Sequence, residues 1–152
     1  MPIDVDLIKR IREETGAGVL EVKQALENNG GDEQKAKEEL AKKGIAKAAK
    51  KQDRETKDGL VYAYVHANGK IGSMISLACE TDFVARTEDF KKLCHELALQ
   101  AATEEYPSIE SFLAAEYVRD PSKKISDLIA AVTAKVGEKI ELKNFVRLSV
   151  LG

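Results

Sequence analysis

The chain has 152 residues, a net charge of −2, 33% charged and 5% aromatic residues, and no tryptophan. That length supports one ordinary core, or a small module beside a modest domain, and the near-neutral charge marks neither nucleic acid nor a membrane as an obligate partner. No run reaches the length of a membrane span, and Met1-Pro2-Ile3-Asp4 shows neither the basic nor the apolar region of a secretory leader, so the expected location is the cytoplasm.

The first elements read as three short helices. Ile3, Leu7, Ile8 and Ile11 form an apolar stripe that stops at Thr15-Gly16-Ala17-Gly18, where glycines permit a tight reversal. Val19, Val22, Ala25 and Leu26 form a second stripe, ended by Asn29-Gly30-Gly31. Asp32 is the expected N-cap of a third helix carrying Ala36 and Leu40 and closing at Gly44. The size and rhythm of residues 1–44 resemble the ubiquitin-associated three-helix module. Residues 45–57 read as a basic helical linker. Between Lys42 and Lys57 lie seven Lys and Arg against Asp53 and Glu55, with no aromatics interleaved, so a solvated face is expected rather than a nucleic-acid contact.

From residue 58 onward the expectation is an α+β core domain. Leu60, Tyr62, Tyr64 and His66 alternate with Val61, Ala63 and Val65; Asn68-Gly69 is a strong hairpin signal, and alternation resumes from Ile71 to Cys79. Thr87, followed by Glu88 and Asp89, starts a helix whose inner stripe is Phe90, Leu93, Cys94, Leu97, Ala98 and Ala101. Ser108 to Ala115 reads as a short helix, Arg119-Asp120-Pro121-Ser122 as a loop, and Ile125 to Val136 as a helix capped by Gly137. Ile140 to Leu151 is the last strand, with a bulge near Lys143-Asn144. The fold class is therefore α+β: a three-helix module, then a small three-stranded antiparallel sheet packed with helices. Both faces of the sheet carry apolar residues, which predicts a cover on each side. A second copy of the sheet is a natural cover, so a homodimer is expected.

Cys79 and Cys94 lack metal-ligand spacing and read as buried thiols in a reducing compartment. His66 and His95 are the only histidines; neither has a motif-placed nucleophile, and both are expected to face solvent. There is no phosphate loop or nucleophile elbow, so an enzyme with a catalytic site, a cofactor or a metal is not expected. The feature that bears on function is Phe83, a large aromatic in the polar junction Cys79-Glu80-Thr81-Asp82-Phe83-Val84-Ala85-Arg86 between strand and helix. It is either folded into the core, the commoner fate of a lone Phe, or held out for insertion into a partner. A plain binding module built on the first 44 residues is an alternative, but it leaves this corner unexplained.

Two segments carry a family resemblance. Thr15-Gly16-Ala17-Gly18-Val19-Leu20-Glu21-Val22-Lys23-Gln24-Ala25-Leu26 resembles the N-terminal signature of translation elongation factor Ts, and the junction around Thr81-Asp82-Phe83-Val84 resembles its second signature. Lys47-Ala48-Ala49-Lys50-Lys51 and Gly137-Glu138-Lys139-Ile140 are similar to the family as well. The resemblance implies a guanine-nucleotide exchange factor whose partner is GDP-bound elongation factor Tu. It assigns displacement of Mg²⁺ from that GTPase to Thr81, Asp82, Phe83 and Val84, and the grip on a GTPase helix to Arg12, Val19, Leu20 and Lys23. Members often carry two methionines where this chain has Val19 and Leu20; apolar contact survives, with a stiffer and shorter group at Val19. Longer members hold two tandem core subdomains where this chain shows one, and shorter members form dimers.

Overall fold

A computed structural model describes residues 3–151. The apolar stripes of the first third become helices α1 (Val5–Thr15), α2 (Val19–Asn28) and α3 (Glu33–Ala49). Asp4 caps α1 and Asp32 caps α3, each through its carboxylate, and Gly16 ends α1 in the left-handed region at φ 72°. Ile11, Val22, Ala25, Leu26, Ala36 and Leu40 make a closed core of their own.

Helix α3 does not close at Gly44. It continues to Ala49, so the first part of the expected linker belongs to the same helix. Gly44 is buried against α7 (Ile125–Val136): a Cβ there would lie 3.2 Å from the Ala134 methyl. Gly16 meets the same helix, where a Cβ would come within 2.6 Å of the Lys135 Cα. Both glycines are points of close approach between the three-helix module and the core domain, and the contact with Ala134 is the reason Gly44 lies inside α3 instead of ending it. Lys47 adds an ion pair to Glu21 at 2.6 Å, and this bond is the first cause holding the Glu21 carboxyl below its usual range.

The core domain begins with β1 (Asp58–Val65) and β2 (Ile71–Cys79), an antiparallel hairpin turned at Asn68-Gly69. The one-turn helix α4 (Asp82–Ala85) leads into α5 (Glu88–Thr103), capped by Thr87 as expected. Helix α6 (Ile109–Ala114) follows, then β3 (Glu116–Tyr117), β4 (Asp120–Lys124), α7 and β5 (Glu141–Ser149). The expected loop Arg119-Asp120-Pro121-Ser122 is instead partly strand, because Glu116 pairs with Lys124 and Tyr117 with Asp120 in a two-stranded ribbon. Pro121 is tolerated because an edge ribbon of this length has N–H positions with no ladder partner.

The main sheet has the order β1-β2-β5. The ladder between β2 and β5 pairs Ser76 with Asn144 and Leu77 with Leu142, which leaves Lys143 as the extra residue of a bulge at the expected place. The inner face of the sheet, with Ile75, Leu77 and Leu142, packs on Phe90, Leu93, Leu97, Ala98 and Ala101 of α5. Phe112 stacks on Phe145 with centroids 4.9 Å apart, and Tyr106 meets Phe112 edge-on. His95 is half-buried rather than solvent-facing: its Nδ1 bonds the Tyr62 hydroxyl at 2.9 Å and its ring meets the edge of Tyr64. Burial against the sheet gives it a structural partner. No helix among the described residues is long and apolar enough to cross a membrane.

Candidate functional site

Phe83 stands out of the core, 78% exposed, at the strand-to-helix corner. Its neighbours show how a ring that size is kept in water. Helical rotation over α4 separates adjacent side chains by about 100°, so Val84 and Ala85, buried at 4% and 3% exposure, turn Phe83 outward. Val84 is thus an inward anchor of the turn, while Thr81, Asp82 and Phe83 lie at the surface. Thr81 caps α4, its hydroxyl accepting from the Val84 amide at 3.4 Å. Asp82 adds its charge at the helix start and pairs with Arg86 at 3.1 Å.

A residue far along the chain holds this corner. Glu138 Oε1 accepts from the amides of Glu80 and Thr81 at 3.1 and 3.0 Å, and Oε2 accepts from the Thr81 hydroxyl at 2.7 Å. Glu80 answers by accepting the Lys139 amide at 2.8 Å. Arg54 reaches into the same junction, donating to the Gly137 carbonyl at 3.2 Å and lying 3.4 Å from Glu80 Oε1. The sequence marks Gly137 as a helix stop, but no local pattern pairs Glu138 with Thr81, so its part in the site was missed. Beneath the corner, burial first and the nearby Glu138 and Asp58 charges second push the Cys79 thiol up to about 11; burial pushes Cys94 to about 12. Both thiols are buried and unbridged, which suits small apolar packing groups rather than nucleophiles. No group of three or more His, Cys, Asp or Glu among the described residues is placed to hold a metal ion.

The second cluster lies on the three-helix module. Val19 and Leu20 open α2 and both are exposed, Leu20 at 80%. The turn at Gly16-Ala17-Gly18 fixes this start, with the Gly18 amide donating to Glu21 at 3.1 Å and Arg12 Nε to the Ala17 carbonyl at 3.3 Å. Lys23 is exposed one turn on from Val19. Arg12, Val19, Leu20 and Lys23 therefore share the surface around one turn.

A third exposed apolar surface is the outer face of the sheet. Register aligns Ala63 with Met74 and Met74 with Val146, and Gly72 sits between Val65 and Leu148. Val61, Val65, Met74, Val146 and Leu148 are all exposed there, while Tyr62 and Tyr64 face α5. The outward set is thus the Val61, Ala63 and Val65 side of β1.

Comparison with known proteins identifies the family. The family model of elongation factor Ts matches residues 80–152, which begin at the Phe83 corner. Elongation factor Ts of Coprothermobacter proteolyticus is 40% identical, with 97% of this chain and 98% of that relative covered. The Thermotoga petrophila protein of the same name is 39% identical, with 99% and 97% covered. That of Aquifex aeolicus is 44% identical over 97% of this chain but only 52% of its own length. With relatives this similar along nearly its whole length, the chain belongs to the elongation factor Ts family of translation elongation factors.

Proposed function

We propose that the protein is a guanine-nucleotide exchange factor for elongation factor Tu, acting by insertion of the Thr81–Val84 corner beside the Mg²⁺ site of the GTPase. The observation that carries this reading is the exposed Phe83 ring on a braced turn whose other apolar members, Val84 and Ala85, are buried. A ring left in water on a secured support is suited to a partner's crevice rather than to the protein's own core. Tightly held nucleotide depends on Mg²⁺ to neutralise its phosphates. A wedge that disturbs the metal's ligands leaves that charge uncompensated without competing for the nucleotide pocket, and release accelerates. The factor then weakens nucleotide by the same ratio that nucleotide weakens the factor, so incoming nucleotide expels it. Thr81 and Val84 shape and anchor the wedge, and Asp82 and Phe83 present it. No covalent step on this chain is required, so it acts as an exchange factor rather than as an enzyme with a catalytic residue of its own.

The three-helix module supplies a second grip through Arg12, Val19, Leu20 and Lys23. The exposed pair Val19 and Leu20 supports this assignment, as does the separate core of the module, which presents them independently of the sheet. The outer face of the sheet supports a homodimer: Val61, Val65, Met74, Val146 and Leu148 are exposed on one face, exposed apolar patches mark interaction surfaces, and a two-fold axis offers this one an identical partner.

The test is release of labelled GDP from elongation factor Tu at saturating Mg²⁺. Substoichiometric protein is expected to accelerate release catalytically; an unchanged rate would overturn the proposal.

A further inference from the structure

We propose that Glu138 is the positioning residue of the Phe83 corner: its carboxylate sets the orientation in which the ring is presented. The inference rests on the exchange-segment reading above and adds to it a residue from the opposite end of the core domain.

Helix α4 has only four residues. A single helical turn has no independent stability, because nucleation fixes several residues for very few hydrogen bonds. Its direction must come from outside. Burial of Val84 and Ala85 supplies one support on the core side. The other is Glu138, which receives three hydrogen bonds from Glu80 and Thr81, the residues where the chain leaves β2 and enters the turn.

The bond to the Thr81 hydroxyl has a specific consequence. Its hydrogen is committed to Glu138 Oε2 at 2.7 Å, so the hydroxyl oxygen is turned to accept the Val84 amide. The carboxylate therefore holds the Thr81 hydroxyl in the rotamer in which its oxygen caps the Val84 amide, and the cap orients the start of the turn. Without that partner the hydroxyl is free to rotate and donate elsewhere, and the cap of α4 is held less firmly.

Glu138 is itself held in place. The preceding Gly137 adopts φ 78° with its amide bonded to the Thr133 carbonyl at 2.9 Å, so the end of α7 directs the chain back across the corner. The Glu80 carboxylate accepts the Lys139 amide, giving bonds in both directions between residues 80–81 and 138–139. Arg54 also donates to the Gly137 carbonyl. Charge-assisted bonds of this kind are the stronger class, and Glu138 makes three of them to the two residues that lead into α4.

The experiment compares the full-length protein with Glu138→Ala, Glu138→Gln and Phe83→Ala. Labelled GDP release from elongation factor Tu is followed against factor concentration, with melting temperature and amide hydrogen exchange at Glu80, Thr81 and Val84 measured in parallel. For Glu138→Ala the release rate at saturation is expected to fall about tenfold, with a similar loss of amide protection, the scale set by losing hydrogen bonds to a charged group. The half-saturating concentration should change much less, since Val19, Leu20 and the rest of the grip are untouched. Glu138→Gln should recover part of the rate, because its carbonyl oxygen still accepts from both amides. A Glu138→Ala protein that reaches the parent's saturated rate per folded molecule, beside an inactive Phe83→Ala, would overturn the positioning role alone. Full activity in Phe83→Ala would overturn the exchange-segment reading and this proposal with it.

Discussion

The two proposed partner-binding sites both hold apolar side chains in water, and they do so by different means. Val19 and Leu20 sit on a helix of ordinary length whose opposite face, Val22, Ala25 and Leu26, fills a small core. The exposure of Leu20 follows from helical periodicity: once the inner stripe is buried, it has nowhere else to face. Val19 is in register with that stripe but is the first residue of the helix, where 47% of it stays exposed. Phe83 sits on a turn too short to hold itself, and its exposure depends on Glu138 and on Val84 and Ala85 beneath it. A helix face is a consequence of local repetition, whereas the corner is a consequence of tertiary bonds. The first should tolerate changes to its surroundings, and the second should not.

The largest effect that sharpens this contrast comes from comparing two phenylalanines. Phe90, fully buried under the sheet, should lose about 3–5 kcal/mol of stability on replacement by Ala. Phe83→Ala should melt within a few degrees of the parent, since an exposed ring leaves no cavity, yet lose most exchange activity. Thermal unfolding of both proteins beside a GDP-release assay checks this, and a collapse of Phe83→Ala would return the ring to the role of core anchor.

A charge on the outer sheet face should act on assembly rather than on folding. Val65→Lys or Met74→Lys is expected to convert a dimer to monomer in sedimentation at micromolar concentration, while Tyr62→Lys, facing α5 and His95, should instead unfold the core. A parent protein that sediments as a monomer would defeat the dimer and leave both partner sites standing.

Leu20→Ala should weaken binding to elongation factor Tu by about tenfold, within the range for truncating an exposed apolar anchor at an interface. Its melting temperature should stay close to the parent's, because Leu20 touches little of the module's core. A bound affinity equal to that of the parent would remove Leu20 from the grip. Deleting residues 1–44 should likewise weaken binding while the sheet and its helices stay folded, although the cut now falls inside α3 and uncovers Ala134 on α7.

The smallest effects are those of pH. The Cys79 and Cys94 thiols, raised to about 11 and about 12 by burial, contribute stability that is fully present below the unfolded thiol value of 9.0. That contribution is lost as pH rises from there through the folded values, because the unfolded chain gives up its thiol protons first. Glu21 works in the opposite direction. Its carboxyl is lowered chiefly by Lys47, so its contribution is present above 4.5 and disappears as pH falls through the folded value. Melting temperatures across the two ranges, for the parent and for Cys79→Ser and Glu21→Gln, should show each loss only in its own window.

Much of this molecule was legible from local pattern. The stripes of α1 and α5, the Val22, Ala25 and Leu26 part of the α2 stripe, the Asn68-Gly69 turn, the Thr87 cap and the bulge at Lys143 all depend on residues a few positions apart, and each lies where that pattern put it, while Val19, expected in the α2 stripe, is exposed. The departures share a cause. Gly44 looked like a helix end because glycine is a poor helix former, but contact with Ala134 gives it a reason to stay inside α3. His95 looked solvent-facing because its neighbours are charged, yet Tyr62 stands opposite it across the α5–β1 contact. The ribbon formed by Glu116–Tyr117 and Asp120–Lys124 gave no alternating apolar signal, since its residues are largely exposed.

The amino-acid sequence by itself determined the α+β class, the apolar stripe of each major helix, and the resemblance that marks Thr81 to Val84 and Arg12, Val19, Leu20 and Lys23. Only the tertiary structure decided that Phe83 faces water while Val84 does not, and that the Val61 side of the sheet is the uncovered one. The physical reason is one of range. Periodicity and capping are set within a turn or two of the chain, but the direction of a four-residue helix is set by a carboxylate 57 residues away from Thr81, and no local pattern records that partnership.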